Sequence, residues 1–262
     1  MKSLGQKNSY LNNKTDIELD RIHRSNQREN LLLNWSSILG FDLWHSYEVS
    51  FLIKDVVHNY VGQFRVPSNS EYIFESKSLK LFLNSMNNKD FSKKNEALDF
   101  ISLNLSECCN TRVEVSLFEI EEFNKKFPIG CKLQRVKLTS YTKNISSKEL
   151  ILSDEIVREV LYTDLFRSNC LVTNQPDWGT ITIDYSGNKI NHELLHGYLM
   201  SFRNHNAFHE HCVDMIYDHI HTYANPSSLT IYGNFLRRGG IDITPIRTNN
   251  KSEIIPWREV RQ

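Results

Sequence analysis

The sequence predicts an α+β protein built twice over from one unit of two strands, two helices and two strands. Three observations carry this. Apolar residues alternate in some stretches and recur at three- and four-residue spacing in others. The order of these patterns is ββααββ over 43–141 and again over 161–247. The half-chains also match locally: Leu81-Phe82-Leu83-Asn84-Ser85-Met86 corresponds to Tyr198-Leu199-Met200-Ser201-Phe202, and Phe91 and Phe208 each open a second helix. Such a unit of about a hundred residues packs as an antiparallel sheet with both helices on one face. The expected division is a polar N-terminal arm at 1–34, a first unit at 35–150 and a second at 151–262.

Taken in order, residues 1–34 are rich in Asn, Lys, Ser and Asp and read as an arm, flexible or docked on the body, without chemistry of its own. Residues 43–53 and 59–66 read as strands, the second ending before Pro67. In 76–86, Leu79, Phe82, Leu83 and Met86 stand at helical spacing, as do Leu98, Ile101 and Leu105 in 95–105. Strands at 112–120 and 133–141 close the first unit. A polar stretch at 142–148 and a short helical piece at 154–160 lead into the second. There, strands are expected at 161–169 and 179–185, helices at 191–203 and 207–223, and strands at 228–236 and 240–247.

With 262 residues, 40% of them hydrophobic, the chain has material for a substantial core. Lys plus Arg equals Asp plus Glu at 31 each, so no net field draws it to nucleic acid or to an anionic membrane. No run approaches the ~20 apolar residues of a membrane span, and the start lacks a secretory signal, so a cytoplasmic protein is expected. Five cysteines without a C-x-x-C pair imply free thiols in a reducing compartment.

Four stretches hold residues suited to chemistry. In 168–179, Cys170 stands seven residues before Asp177 in a polar turn between two strands. A thiolate needs an electrophile, and a nearby acid supplies the proton that the electrophile's heteroatom gains. Polar neighbours argue against deep burial of Cys170, and Arg167 is near enough in sequence to lower its pKa. In 74–82, Glu75 or Ser76 caps a helix whose first turn carries Lys77 and Lys80, an arrangement that opposes the helix dipole unless an anion binds beside it. In 204–211, Glu210 is able to accept paired N–H bonds from a guanine-type base edge, and His209 is of a residue type suited to proton traffic. In 235–242, Arg237 and Arg238 precede Gly239 and Gly240 in a tight turn that suits a phosphate. A fifth match, His192-Glu193-Leu194-Leu195-His196, has the H-E-x-x-H pattern of zinc proteases. On a helical wheel its histidines lie at the margin of the apolar stripe formed by Leu194, Leu195, Tyr198, Leu199 and Phe202, with Glu193 on the far side. A polar helix face fits better, and no metal is expected.

Together the four stretches resemble the NADPH-dependent nitrile reductases of queuosine biosynthesis, which convert 7-cyano-7-deazaguanine to 7-aminomethyl-7-deazaguanine. Residues 75–82, Glu-Ser-Lys-Ser-Leu-Lys-Leu-Phe, satisfy that family's E-[SL]-K-[SA]-hydrophobic-K-[LY]-[YFW] motif at every position. The motif in the first half and the cysteine in the second match the family's long form, from about residue 43 to the C-terminus. The resemblance implies a tandem tunnelling fold, NADPH as cofactor, and a homodimer acting on a small molecule without direct contact to nucleic acid or membrane. By resemblance, Cys170 is the nucleophile that forms a thioimide and Asp177 the proton donor. Phe74, Glu75, Ser76, His209 and Glu210 fall on substrate-binding positions, and Ser76, Lys77, Arg238 and Gly239 on NADPH positions. Two rival readings are a zinc-dependent pterin or cyclohydrolase-like enzyme of the same fold using histidines from 192–211, and a non-catalytic purine-binding member.

Overall fold

The computed structural model describes residues 18–119, 122, 129–134, 150–251, 254, 256–259 and 261–262. The first strands are β1 (Arg21–His23), β2 (Leu39–Ile53), β3 (Val56–Pro67) and β4 (Tyr72–Phe74), with a four-residue helix α1 (Ser25–Arg28) after β1. Next come α2 (Ser76–Ser85), β5 (Asp90–Phe91), α3 (Lys94–Cys109), β6 (Glu114–Phe118) and β7 (Cys131–Lys132). The second half comprises β8 (Leu152–Asn169), β9 (Pro176–Ile190), α4 (His192–Met200), α5 (His209–Ala224), β10 (Ser228–Phe235) and β11 (Ile241–Thr248). The α+β class therefore holds, and the second half has the full ββααββ order. The first half has it through β6; the strand expected at 133–141 lies almost wholly outside the described residues.

One sheet runs through both halves in the order β6-β3-β2-β11-β10-β9-β8-β7, with β5 beside β2. Every pairing along it is antiparallel except β7 with β8 and β5 with β2. The seam is the pairing of β11 with β2, for example Ile243 opposite Trp44.

Alternation along the seam strands sorts their side chains onto two faces. Trp44, Val49 and Phe51 of β2, with Ile241 and Ile243 of β11, join the core under α2 and α3. Arg247, at the same parity on β11, reaches Asp214 of α5, so the helices of both halves cover one face. The odd positions Phe41 and Leu43, with Ile246 opposite, form a small cluster on the other face. A second large core gathers Leu161, Ile181, Ile183 and Phe235 beneath α4 and α5.

One expectation needs correction, and one alternative is decided. Residues 154–160 are the first part of β8 and not a helix: Val157 faces Gly187 and Arg158 faces Ser186. Their charges find partners across strands, as with Lys189 Nζ 2.9 Å from Glu155, so long-range pairing overrides a polar run without clear period. The described part of the arm is docked. β1 pairs with β4, and Arg24 is only 4% exposed.

Candidate active site

A cavity of ≈ 320 Å³ lies between the two halves. Its walls are the start of α2, the turn from β8 to β9, the segment entering α5 and the turn from β10 to β11; Trp44, Ile241 and Ile243 supply apolar lining. Nine of the ten sequence-derived site residues line it: Phe74, Glu75, Ser76, Lys77, Cys170, Asp177, His209, Glu210 and Arg238.

At α2, Glu75 is the N-cap in extended conformation, and its carboxylate accepts from the amides of Lys77 (2.9 Å) and Ser78 (2.8 Å). Two otherwise orphaned donors are thereby satisfied, and the negative charge offsets the dipole that Lys77 and Lys80 oppose. Lys80 also has Glu48 at 3.4 Å, whereas Lys77 is exposed. The Glu75 amide donates to the Asp20 carbonyl, and the Asp20 amide to the Ser78 hydroxyl, so the N-terminal segment holds this helix start.

The cysteine turn is tied at both ends. The Cys170 amide donates to the Gln175 carbonyl, and the Asn174 amide, at a left-handed residue that Asn tolerates, donates back to the Cys170 carbonyl. In register, Ser168 faces Asp177, which brings the acid to the foot of the turn. The approach to α5 is stitched alongside: the Asn169 amide donates to the His205 carbonyl, the Ala207 amide to the Asn169 carbonyl, and the Asn206 side chain to Asn174 Oδ1. These bonds bring His209 and Glu210 beside Cys170.

The Cys170 thiol is half-buried. Burial pushes its pKa up, but hydrogen bonds from the Thr173 hydroxyl and the amides of Thr173 and Val172 outweigh this and leave it below the ordinary value. Arg167 is not the cause: it bonds Asn169 Oδ1 and stacks on Trp178. Asp177 is 3% exposed, with Arg238 Nε at 3.0 Å and His209 Nε2 at 3.2 Å. Asp177 Oδ1 and His209 Nε2 make no directed hydrogen bond, so these contacts are ion-pair approaches by distance alone. His209 stacks on Phe235 with centroids 4.2 Å apart, and Arg238 donates to the Pro176 carbonyl.

Glu210 is 3% exposed and its Oε1 has no partner. Burial, with Asp42 adding to it, raises its pKa against the opposing pull of His209 and Arg24. A buried carboxylate oxygen facing a cavity without a donor invites a ligand N–H. Gly239 does not line the cavity. It turns the chain at φ +55° beside it, where a Cβ would lie 3.4 Å from Lys80 Nζ.

The sequence reading missed Thr173, whose hydroxyl serves the thiol, and Ile22, which brings the N-terminal segment into the cavity wall. The Thr-Asn pair of the turn is a local signal for the first; no local signal marks the second. The H-E-x-x-H histidines have separate partners. His192 Nε2 lies 2.6 Å from Glu159, while His196 is fully buried, not marginal, between the Thr163 hydroxyl and the Gln134 carbonyl.

The chain resembles known proteins along nearly all of its length. Residues 10–117 match the family model described as nitrile reductase, 7-cyano-7-deazaguanine-reductase N-term, and residues 176–254 match that of the QueF-like protein. An NADPH-dependent 7-cyano-7-deazaguanine reductase of Legionella pneumophila (strain Lens) is 42% identical over 254 residues, covering 94% of this chain and 88% of the relative. The protein of the same name from strain Paris is 41% identical over the same span. Among solved structures, the apo archaeosine synthase QueF-Like aligns over 38% of this chain and 99% of its own, at 14% identity and a TM-score of 0.33. The two family models in chain order and the 42% identity across nine-tenths of the sequence show that the chain belongs to the NADPH-dependent 7-cyano-7-deazaguanine reductase family.

Proposed function

We propose that this protein reduces the nitrile of 7-cyano-7-deazaguanine to the aminomethyl group of 7-aminomethyl-7-deazaguanine, by way of a thioimide on Cys170. The observation that carries the reading is one cavity shared by a thiol of lowered pKa, the Asp177 carboxyl and the unpartnered oxygen of Glu210. Glu210, across from the helix-capping Glu75, accepts the amidine-like N–H edge of the base. Phe74 and the Phe208–His209 pair flank it.

Cys170 sulfur adds to the nitrile carbon. A C–S bond forms as one C–N π bond opens, and the thiol's proton reaches the nitrogen through the Asp177 carboxyl. His209, 3.2 Å from Asp177, is within reach to restore that proton. NADPH supplies a hydride equivalent to each of two carbon–nitrogen double bonds in turn, four electrons overall. Between the two reductions the C–S bond breaks, returning Cys170 and leaving an imine, which the walls must keep from water. The cofactor's phosphates would find cations on two sides of the cavity: exposed Lys77 beside Ser76 at the α2 start, and Arg238 ahead of Gly239, where Lys80 Nζ stands 3.4 Å from the place a Cβ would take. With this reading go a cytoplasmic location and a homodimer, the latter tested by light scattering.

The deciding experiment is intact-mass spectrometry of protein mixed with the cyano base, beside NADPH absorbance. A covalent adduct on the native chain, none on Cys170→Ala, and about two NADPH consumed per amine are expected. An adduct that survives Cys170→Ala sinks the assignment.

A further inference from the structure

The described N-terminal segment is tied to both halves. Leu19 packs on the core of the first half, and Leu33 and Trp35 pack on that of the second. Between them β1 pairs with β4, and Arg24 donates from Nη2 to Asp42 Oδ2 on β2 at 2.5 Å. Arg28 Nε donates to Asp214 Oδ2 of α5 at 2.8 Å, and the Leu32 and Leu33 amides, each at 2.9 Å, donate to Asp218 of the same helix. A segment fixed to β2, β4 and α5 spans the cleft in which the cavity lies. Alternation along β1 then sorts its side chains. Arg21 and His23 lie against Tyr72, the exposed Arg21 guanidinium 4.6 Å from the ring centroid and the His23 ring 4.9 Å from it. Ile22 has the parity of buried Arg24 and lines the cavity, as does Ile73, its partner across the pairing of β1 with β4.

We propose that Ile22 is a substrate-contacting residue: the N-terminal segment supplies an apolar wall of the base pocket, and the bound base covers Ile22. The inference rests on the reading that this cavity receives the cyano base. A planar base meets its hydrogen-bonding partners along its edge and needs apolar cover elsewhere, and pockets for such ligands are mostly apolar with a few placed polar groups. Of the aliphatic and indole lining, Trp44, Ile73, Ile241 and Ile243 are already buried at 2% to 6% exposure by the protein itself. Ile22 is only half-buried, so it keeps apolar surface that a ligand can take from water. Its place is fixed in advance. Two residues earlier, the Asp20 carbonyl accepts from the Glu75 amide at 2.8 Å and the Asp20 amide donates to Ser78 Oγ at 3.1 Å. The strand that carries Ile22 is thereby registered on the helix start whose Glu75 faces the same cavity, and no ordering of the segment has to accompany binding.

The test is calorimetric titration of the cyano base and, separately, of NADPH into the Cys170→Ala protein, where binding stays reversible. Ile22→Ala should weaken the base about ten-fold and leave NADPH within about two-fold, because the lost apolar contact belongs to the base alone. Ile22→Thr keeps the β-branch that suits a strand while removing apolar surface; it should weaken the base in the same direction and serves if the Ala variant does not fold. Arg21→Ala removes the stacking on Tyr72 from the other side of the same strand and should leave the base within about two-fold, which separates contact from a loosened segment. Base affinity within about two-fold of the parent in the Ile22 variants, an equal loss of NADPH affinity, or an equal loss in Arg21→Ala overturns the inference. The parent tests the level below. A Cys170→Ala protein that does not bind the base overturns the base-binding reading and this inference with it, whereas a parent that binds beside an Ile22→Ala that binds equally well overturns this inference alone.

Discussion

The two halves meet at the cavity with different means. The second half presents Asp177 and Glu210, each 3% exposed, and a thiol tuned by its own turn. The first half presents Glu75, half-buried with both oxygens already engaged by helix amides, and the exposed Lys77. One wall is desolvated and short of partners; the other is wet and largely satisfied. A charge in a dry wall acts strongly and fails badly when altered, whereas a charge at a wet rim is screened and replaceable. The two halves thus divide the proposed roles unevenly: the proposed bond-making groups lie on the second, while the proposed cofactor contacts are shared, Ser76 and Lys77 on the first and Arg238 and Gly239 on the second.

The largest effect that would break this comparison is on the dry wall. Asp177→Asn keeps the shape and removes the transferable proton, so single-turnover adduct formation should slow by about 10²–10⁴-fold with the fold intact. A change of less than roughly ten-fold would mean that the nitrile nitrogen is protonated from elsewhere. Acid stability next probes the buried charge one helical turn behind Glu210. Burial pushes the Asp214 pKa up, but Arg247 and Arg28 outweigh it and hold it down to about 2 from an ordinary 3.8. A carboxyl depressed in the folded state contributes stability that is complete above its unfolded value and is lost as pH falls through the folded one. Urea midpoints should therefore drop between about pH 4 and 2, with roughly 2 kcal/mol of the loss due to this group. Asp214→Asn should flatten that slope while costing about 3–5 kcal/mol at neutral pH, because it takes a carboxylate from Arg28 and from the buried Arg247, which is left with Asp42.

Much of this was legible in the sequence, and the physical reason differs by element. The strands and helices of the second half follow from period and from turn residues such as Asn174 and Gly239, signals local to the chain. The site residues were legible through the resemblance, since no periodicity says that residue 75 lies across a cavity from residue 210. What the sequence hid is long-range. The polar run at 154–160 becomes a strand only because β9 offers it a partner, and the arm, read as carrying no chemistry, holds Arg24 and Arg28, whose meaning depends on Asp42, Asp214 and Arg247 far along the chain. Buried ion pairs of this kind leave no spacing rule behind.

The smallest effect sharpens the comparison at the rim. Glu75 does two jobs, capping α2 and facing the cavity, and two variants tell them apart. Glu75→Ala removes the acceptor from the amides of Lys77 and Ser78 and should cost about 0.5–2 kcal/mol, a Tm loss of a few degrees for a chain of this size. Glu75→Gln keeps one side-chain oxygen for those amides and should recover most of the stability. It lacks the charge that offsets the helix dipole and that is proposed to receive the base, so its KM for the cyano base should stay raised while kcat stays close to native. If stability and KM recover together in the Gln variant, Glu75 is a cap and no more, and base recognition belongs to the buried wall alone.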